Sequence, residues 1–581
     1  MRKFVFDIET NGLDPTKIWC VVLYDIARRN THVCYDRHSL ICRLNGTGDI
    51  NAPMKARELI GHNIIAYDVP VLEKLWGISF AGHKLTDTLV MSRLANPSRE
   101  GGHSLENWGD KLGCPKGEHN DWLTFSKDMV EYCKQDVAVN ERVYSALLDE
   151  LAGFRSECVV LEHKVQEIIS GQIKNGWLLD QEKTFGLLAK LKEKKFELED
   201  EVHVVFKPLP TFIKQVSPKI KKDGSMSVVG LKFLGDSWET VGGSFSRIDF
   251  PVFNLGSRQQ IARHLEYYGW KPKIFTDKGQ AIVDEAVLKT VKNIPQALLI
   301  AEYLMIQKRI AQVQSWLEAV KDSGRVHGYV NPNGAVTGRM THSSPNLGQV
   351  PAVYSPYGRE CRDVWTVPKG YKLVGMDASG LELRMLAHYM NDEGYTNEIL
   401  NGDIHTANQL SAGLATRDQA KTFIYAFLYG AGDSKIGSIV GGSAKHGRKL
   451  KEKFLSNTPA LRDLRERVGV ASARGYLLGL DGRRVRVRSE HAALNTLLQS
   501  AGAIVMKKAL CILDDYATQW KFDYNFIGNI HDEIQTEVRE KEAEVFGRLA
   551  TSCIEAAGLH YKLNCPLAGD YKVGSTWADT H

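Results

Sequence analysis

Two short runs of β-branched and aromatic residues, at opposite ends of this chain, finish on acids and give way to turn or helix signals. The first is Lys3-Phe4-Val5-Phe6-Asp7-Ile8-Glu9-Thr10, followed by the turn signal Asn11-Gly12. The second, Val374-Gly375-Met376-Asp377-Ala378-Ser379-Gly380-Leu381-Glu382, reads as a strand that reaches an acid and turns into a helix. Helical spacing dominates between them: apolar residues recur from Leu151 to Ile169, a charged amphipathic stretch covers Gln181 to Val205, and Gln296 to Val320 restores a long helix. After Tyr371, β-rich runs (Lys372 to Met376, Asn525 to Ile530) alternate with long helices, so the expected core is α/β. At 581 residues the chain exceeds the usual domain of about 100–200 residues several times over, which predicts about three or four packed units.

Composition narrows the class. Hydrophobic residues at 43% and charged residues at 25% describe ordinary globular cores, which excludes wholesale disorder. The ten cysteines are dispersed without a C-x-x-C pair, and Met1 opens no secretory signal, so reduced thiols in a cytoplasm are expected. No window approaches about 18 consecutive apolar residues, so no membrane partner is expected. The net charge of +5 hides local patches: residues 1–150 sum to −3, residues 201–350 to +7 and residues 441–490 to +8. The last tract includes Arg483, Arg484, Arg486 and Arg488, and both basic tracts are expected to follow phosphate backbones. Phe206 to Phe253, richer in Pro, Gly, Ser and Lys, interrupts the helical pattern as an insertion or tip before Ser257 offers an N-cap.

The candidate chemistry is carboxylate chemistry. Asp7 and Glu9, two apart on a strand, leave the same face. Asp68 closes a G-H-N-I-I-A-Y-D segment, and Tyr132 and Asp136 lie at i, i+4 on one helix face. One acid alone is ordinarily a solvated charge. Four acids with a tyrosine suit two hard cations, one activating water and one stabilising a leaving phosphodiester oxygen, with Tyr132 orienting the water. In the C-terminal half, Asp377 and the Asp532 of Ile530-His531-Asp532-Glu533-Ile534 form a second acid pair, suited to nucleotidyl transfer by two Mg²⁺ ions. Between them Arg417, Lys421, Tyr425 and Tyr429 fall at steps of four, two cations followed by two aromatics on one helical stripe. That stripe suits a triphosphate on Arg417 and Lys421, with His405 as a further phosphate contact, and a base against an aromatic ring.

The order DxE, N-x-x-x-x-D, Y-x-x-x-D, with His103-Ser104-Leu105-Glu106-Asn107-Trp108 between, resembles the proofreading 3′–5′ exonuclease domain of the DEDDy type. DASGLELR, RDQAKTFIYAFLYGAG and HDEIQ look like motifs A, B and C of family A (Pol I-like) DNA polymerases. The similarity covers nearly the whole chain and is closest to replicative polymerases of short-tailed bacteriophages. NPNGAVTGRMTHSSPNLGQVP, SPYG, LNGDIHTANQ and LDGRRVRVRSEHAALNTLLQSAGA extend it.

The resemblance implies an α/β multidomain protein: an RNase H-like 3′–5′ exonuclease domain at 1–150, then a right-hand polymerase. Its thumb would be 151–330 with a tip at about 206–253, its palm 331–400 and 475–581, and its fingers 401–474. It implies template-directed DNA polymerisation with proofreading in phage genome replication, and localisation to the host cytoplasm. Asp377, Ala378 and Asp532 would hold metal in the polymerase site and Asp7, Glu9, Asp68 and Asp136 in the exonuclease site, as Mg²⁺ or, in substitution, Mn²⁺. Arg417, Lys421 and His405 would grip the triphosphate, Tyr425 would contact the sugar, Glu382 would crowd a ribose 2′-hydroxyl, and Tyr429 would stack near the templating pair. Arg339, Gln499 and His531 match positions on primer-terminal minor-groove atoms, where acceptors are shared by all correct pairs. Asn346 and His491 are assigned to the DNA track as well, and Glu533 is expected near the site without being an essential ligand.

Expected partners are primer-template DNA and dNTPs, with a phage helicase-primase and a single-strand binding protein, for a monomeric chain. Phage replicases capture host thioredoxin through a long thumb insertion. The matching interval here is shorter and differently composed, so that capture does not carry over directly. The first exonuclease motif begins at Asp7, which leaves no place for the 5′ nuclease domain of bacterial repair enzymes and favours replication over repair. Two other readings compete: a dedicated exonuclease whose C-terminal half only grips DNA, and a nucleic-acid binder without chemistry. Intact acids in both halves count against each.

Overall fold

The structure, a computed structural model, describes residues 2–46, 57–217, 219–225 and 244–581. Two compact units result: Met1–Leu179 together with Val320–His581, and Asp180–Ala319. In the first unit, strands β1 (Lys3–Thr10), β2 (Ile18–Asp25), β3 (Asn30–Cys34), β4 (Glu58–Gly61) and β5 (Lys84–Asp87) form a sheet in the order β3-β2-β1-β4-β5. β1, β2 and β3 pair antiparallel, whereas β4 and β5 run parallel to β1. β1 is central, and its alternating pattern buries Phe4, Phe6 and Ile8 in one apolar cluster and Val5 in another. Helix Lys127–Glu150 lies against β1 and β2 and contributes Cys133, Val137 and Val143 to that second cluster.

The second sheet of this unit is wholly antiparallel. Its strands run in the order Tyr524–Ile530, Glu533–Arg539, Tyr371–Ala378, Gly569–Gly574. Tyr371–Ala378 is buried from Leu373 to Met376 and surfaces at Asp377, the expected strand that ends on an acid. Gly375 is required at its centre, because a Cβ there would lie 2.6 Å from the Thr580 carbonyl oxygen. Helices Ala493–Gln519 and Ala543–His560 pack against each other, and the second covers this sheet. The helical span Glu490–Gln519 is long and apolar enough to cross a membrane by length and composition alone, but 78% of its 18-residue apolar stretch is buried inside the protein.

Helix Ser156–Asn175 joins the two sheets. His163 Nε2 accepts from the Asp87 amide at 2.8 Å, while Asn175 donates to the Phe526 carbonyl at 3.1 Å. Beneath the hairpin Tyr476–Leu478/Arg484–Arg486 the same helix buries Glu162, which meets Lys507 Nζ and Arg483 Nη1, each at 2.6 Å. Asp481 takes the other edge of Arg483 at 2.7 Å. This corrects one expectation: Arg483, 4% exposed, is a buried structural cation and not a phosphate contact. A charge run in sequence does not distinguish an arginine whose partner acids are buried beside it from one facing solvent. Arg484 lies over the rings of Phe154 and Tyr476, and Arg486 is exposed.

In the second unit, helices Gln181–Val205 and Ala297–Ala319 pack together. An antiparallel hairpin, Thr211–Val216 with Phe245–Asp249, and a helix Arg258–Tyr267, N-capped by Ser257 as expected, complete it. Phe253 stacks on His264 at 3.8 Å and meets Phe206 edge-on at 5.9 Å, closing the base of the hairpin. Residue 218 and residues 226–243 of the expected tip lie outside the described residues.

Candidate active sites

The first site forms where β1 meets two helix faces. Asp7 and Glu9 leave β1 on one side, Asp68 opens the helix Asp68–Trp76, and Tyr132 and Asp136 come from Lys127–Glu150. The turn that delivers Asp68 is fixed by Asp87, whose carboxylate accepts from the Asn63 amide at 2.9 Å and the Ile65 amide at 3.3 Å. Asn63 takes φ +69° there, a left-handed conformation that asparagine tolerates. All four acids named from sequence come together. Burial pushes each carboxyl pKa upward: Asp136 repels Asp7, Asp7 repels Glu9, and Asp7 repels Asp68.

Sequence reasoning missed two groups here. Lys116 Nζ pairs with Asp136 Oδ2 at 2.8 Å and lies 4.8 Å from the Tyr132 ring centre. Cys133 donates its thiol to Asp7 Oδ2 at 3.7 Å. Lys116 sits on a loop, where no periodicity signals it. Cys133, between Tyr132 and Asp136, reads in sequence as one more buried helix residue. Trp122 meets Tyr132 edge-on at 5.5 Å, with His119 4.8 Å from Trp122, so an aromatic wall borders the acids.

The second site lies at the head of the antiparallel sheet. Asp377 pairs in register with Glu533 on one neighbouring strand and Asp570 on the other. His531 and Asp532 form the two-residue turn of the hairpin Tyr524–Ile530/Glu533–Arg539, with His531 at φ +60°. Burial and the charges of Asp532 and Glu533 raise Asp377 to about 7, and burial with the Glu382 charge raises Asp532. Glu533 behaves oppositely. Burial would raise it, but His581, Arg362 and Trp577 hold it below its ordinary value, with Trp577 Nε1 donating at 2.7 Å and His581 Nδ1 3.1 Å away. Its oxygens are thereby committed to protein donors, whereas neither Asp377 nor Asp532 forms an ion pair among the described residues, and both stay raised despite His581 near the first and Arg339 near the second.

Helix Arg417–Leu428 stands beside these acids. A capping box formed by Thr416 and Gln419 starts it, and its buried face is Ala420, Phe423, Ile424 and Phe427. The expected stripe is present. Tyr425 and Tyr429 have ring centres 6.4 Å apart and nearly parallel, and Lys421 is exposed. His405, on helix Ile404–Ala412, lies 6.4 Å from the Tyr425 ring. Burial raises the Tyr425 hydroxyl, with added repulsion from Glu382 and Asp532, so the aromatic end of the stripe reaches the acid pair. Arg339 donates to Glu382 at 3.1 Å, and the Tyr429 hydroxyl lies 3.4 Å from the same oxygen. Arg417 differs from expectation in its partner: it donates to both oxygens of Asp403, at 2.6 and 3.1 Å. His531, Asn346 and His491 are exposed and Gln499 is half-buried on Ala493–Gln519. Ala378 is buried at the strand end.

Comparison with known proteins bears on this arrangement. The description "DNA polymerase family A" matches residues 238–579, more than half of the chain. The chain belongs to DNA polymerase family A. It is 36% identical to the DNA-directed DNA polymerases of Enterobacteria phage T3 and of Escherichia phage T7, covering 99% of this chain and 100% of each relative. Each alignment runs over 713 residues, more than the 581 of this chain, so these relatives carry segments without counterparts here. The fold is similar to a solved structure described as the POL domain of Pol1 from M. smegmatis in complex with DNA primer-template and dNTP. The TM-score is 0.77 at 20% identity, covering 99% of this chain and 96% of that one. The matched family segment contains the Asp377/Asp532 site. The N-terminal acids lie outside it and inside the phage alignments. Family A polymerases generally use divalent metal ions. The acids of both sites fit such ions: the Asp532 charge raises Asp377, and the buried Asp136 Oδ1 has no hydrogen-bond partner among the described residues.

Proposed function

We propose that this family A polymerase extends a primer 3′-hydroxyl with dNTPs at Asp377 and Asp532 and removes mispaired 3′ ends at the N-terminal acids. The observation that carries the reading is the pair Asp377 and Asp532, two carboxyls each raised by burial and a neighbouring acid's charge, beside the Tyr425 end of a cation-aromatic stripe. Asp377 and Asp532 would hold Mg²⁺, with the Ala378 position completing the set, and Mn²⁺ would substitute. The chemistry such cations supply is activation of the 3′-hydroxyl and neutralisation of triphosphate charge.

The protein's own residues do the rest. Lys421, Arg417 and His405 bind phosphates, and Tyr425 lies along the sugar. Glu382, held by Arg339 and Tyr429, blocks a 2′-hydroxyl. Arg339, Gln499, His531, Asn346 and His491 track the primer-template. On the N-terminal side, Asp7, Glu9, Asp68 and Asp136 would hold a second pair of cations, and Tyr132 would orient the attacking water. The β3-β2-β1-β4-β5 order with β2 reversed supports an RNase H-like exonuclease domain. A phage replication role follows from the kinship with the T3 and T7 enzymes. A helicase-primase, a single-strand binding protein and a thioredoxin-type factor are candidate partners in that role.

Primer extension and single-strand degradation, measured on the same preparations with Mg²⁺, test the two sites. Asp377→Ala is expected to abolish extension and keep degradation, and Asp7→Ala to do the reverse. Loss of both activities in either folded variant would refute two independent sites.

A further inference from the structure

Helix Lys127–Glu150 brings a different chemistry to the N-terminal acids. Cys133 is fully buried, and its Sγ lies 3.7 Å from Asp7 Oδ2. Ligand atoms of Asp7, Glu9 and Cys133 all lie within 4.8 Å of one another. A tetrahedral ion with sulfur at about 2.3 Å and carboxylate oxygen at about 2.0–2.2 Å sets a sulfur-to-oxygen edge of roughly 3.6 Å. The observed separation therefore matches two neighbouring ligands of one ion without movement of the helix. A further donor adjoins them: Asp136, 4% exposed, has Oδ2 on Lys116 while its Oδ1 is buried without a hydrogen-bond partner among the described residues.

We propose that Asp7, Glu9 and Cys133, with Asp136 Oδ1 alongside, form a site for a thiophilic divalent ion of the Zn²⁺, Co²⁺ and Cd²⁺ class. The proposal rests on reading these acids as a cation cage, not on the nuclease activity itself. Mg²⁺ takes oxygen ligands and leaves sulfur aside. The thiol thus gives softer ions a ligand that Mg²⁺ does not use. On binding, the S–H bond breaks, its proton passes to solvent and a metal–sulfur bond forms, with no change of oxidation state. A soft ion held this way occupies Asp7 and Glu9 in place of Mg²⁺.

Co²⁺ titration of the full chain tests this, because sulfur ligation gives a near-ultraviolet charge-transfer band that oxygen ligation does not. One equivalent per chain is expected to produce the band in the unsubstituted protein and in Cys114→Ser, which removes the half-buried thiol near Gln135. Cys133→Ser and Cys133→Ala are expected to lose it while retaining primer extension, which reports folding. A band that survives both Cys133 substitutions, or no band in the unsubstituted protein, overturns the site. ¹¹³Cd NMR of the unsubstituted protein counts sulfur ligands without any variant: one sulfur supports the site and none overturns it. A band without Mg²⁺-dependent degradation supports the ion site and sinks the nuclease reading. Degradation without a band does the opposite.

Discussion

Arg417 meets an acid before it meets any substrate. Its guanidinium holds the Asp403 carboxyl well below the ordinary range through the direct hydrogen bonds, and both groups lie at the surface. A triphosphate that takes Arg417 must displace Asp403. Asp403 also caps helix Ile404–Ala412 through the His405 amide at 3.1 Å, a role asparagine fills equally well. Asp403→Asn therefore removes the competing charge and keeps the cap. We expect the KM for dNTP to fall by roughly 2–5-fold, the range of an exposed ion pair, with kcat nearly unchanged. Steady-state extension at fixed primer-template checks it, and a raised KM would mean that Asp403 aims Arg417 instead of competing for it. The stripe itself was legible in sequence because steps of four are dictated by helix geometry. The Asp403 contact was not, since it links two helix starts whose mutual placement no local pattern specifies.

Among the elements, helix Ser156–Asn175 carries more than the apolar periodicity that announces it. Glu162 is wholly buried with two cations against it, Arg483 and Lys507, and Asp481 balances Arg483. Glu162→Gln leaves the shape and removes the charge, so two buried cations face one remaining acid. Breaking such a set costs about 3–5 kcal/mol. Thermal or urea unfolding of this variant should show that loss, with the affinity of the folded protein for primer-template unchanged. A loss below about 1 kcal/mol would mean that water already screens the cluster. The elements were largely readable: helix Gln181–Val205 occupies its expected span, Asp7 and Glu9 lie along the expected first strand, and the strand bearing Asp377 reaches that acid at its end. Legibility failed where burial decides a residue's use. Arg483 belongs to a basic run in sequence and to an interior ion network in the fold. Lys116 and Cys133 enter the N-terminal site from a loop and from a helix's inner face, and neither position carries a spacing signal.

For the molecule as a whole, gathering acids at two sites costs stability that depends on pH. Asp377 is raised to about 7 by burial, Asp532 and Glu533, and burial raises Asp7, Glu9, Asp68 and Asp136. A carboxyl whose folded pKa lies above its unfolded one binds its proton more tightly in the folded protein. Its contribution is fully present below about pH 4 and is lost as pH rises through 7 for Asp377. The half-buried His62 and the buried His163, lowered chiefly by loss of hydration, act in the opposite direction up to about pH 6.5, so the raw melting curve mixes both. The difference between proteins separates them. Without divalent metal, Asp377→Asn should melt near the unsubstituted protein at pH 4 and above it at pH 8, because it lacks the charge that Asp532 repels. Adding Mg²⁺ at pH 8 should raise the Tm of the unsubstituted protein and close that gap, since a ligand that binds only the folded state stabilises it. Equal melting of both proteins at pH 8 without metal would show that Asp377 carries no electrostatic penalty. The same comparison with Asp7→Asn reports the N-terminal acids separately, because that substitution leaves the Asp377 site intact.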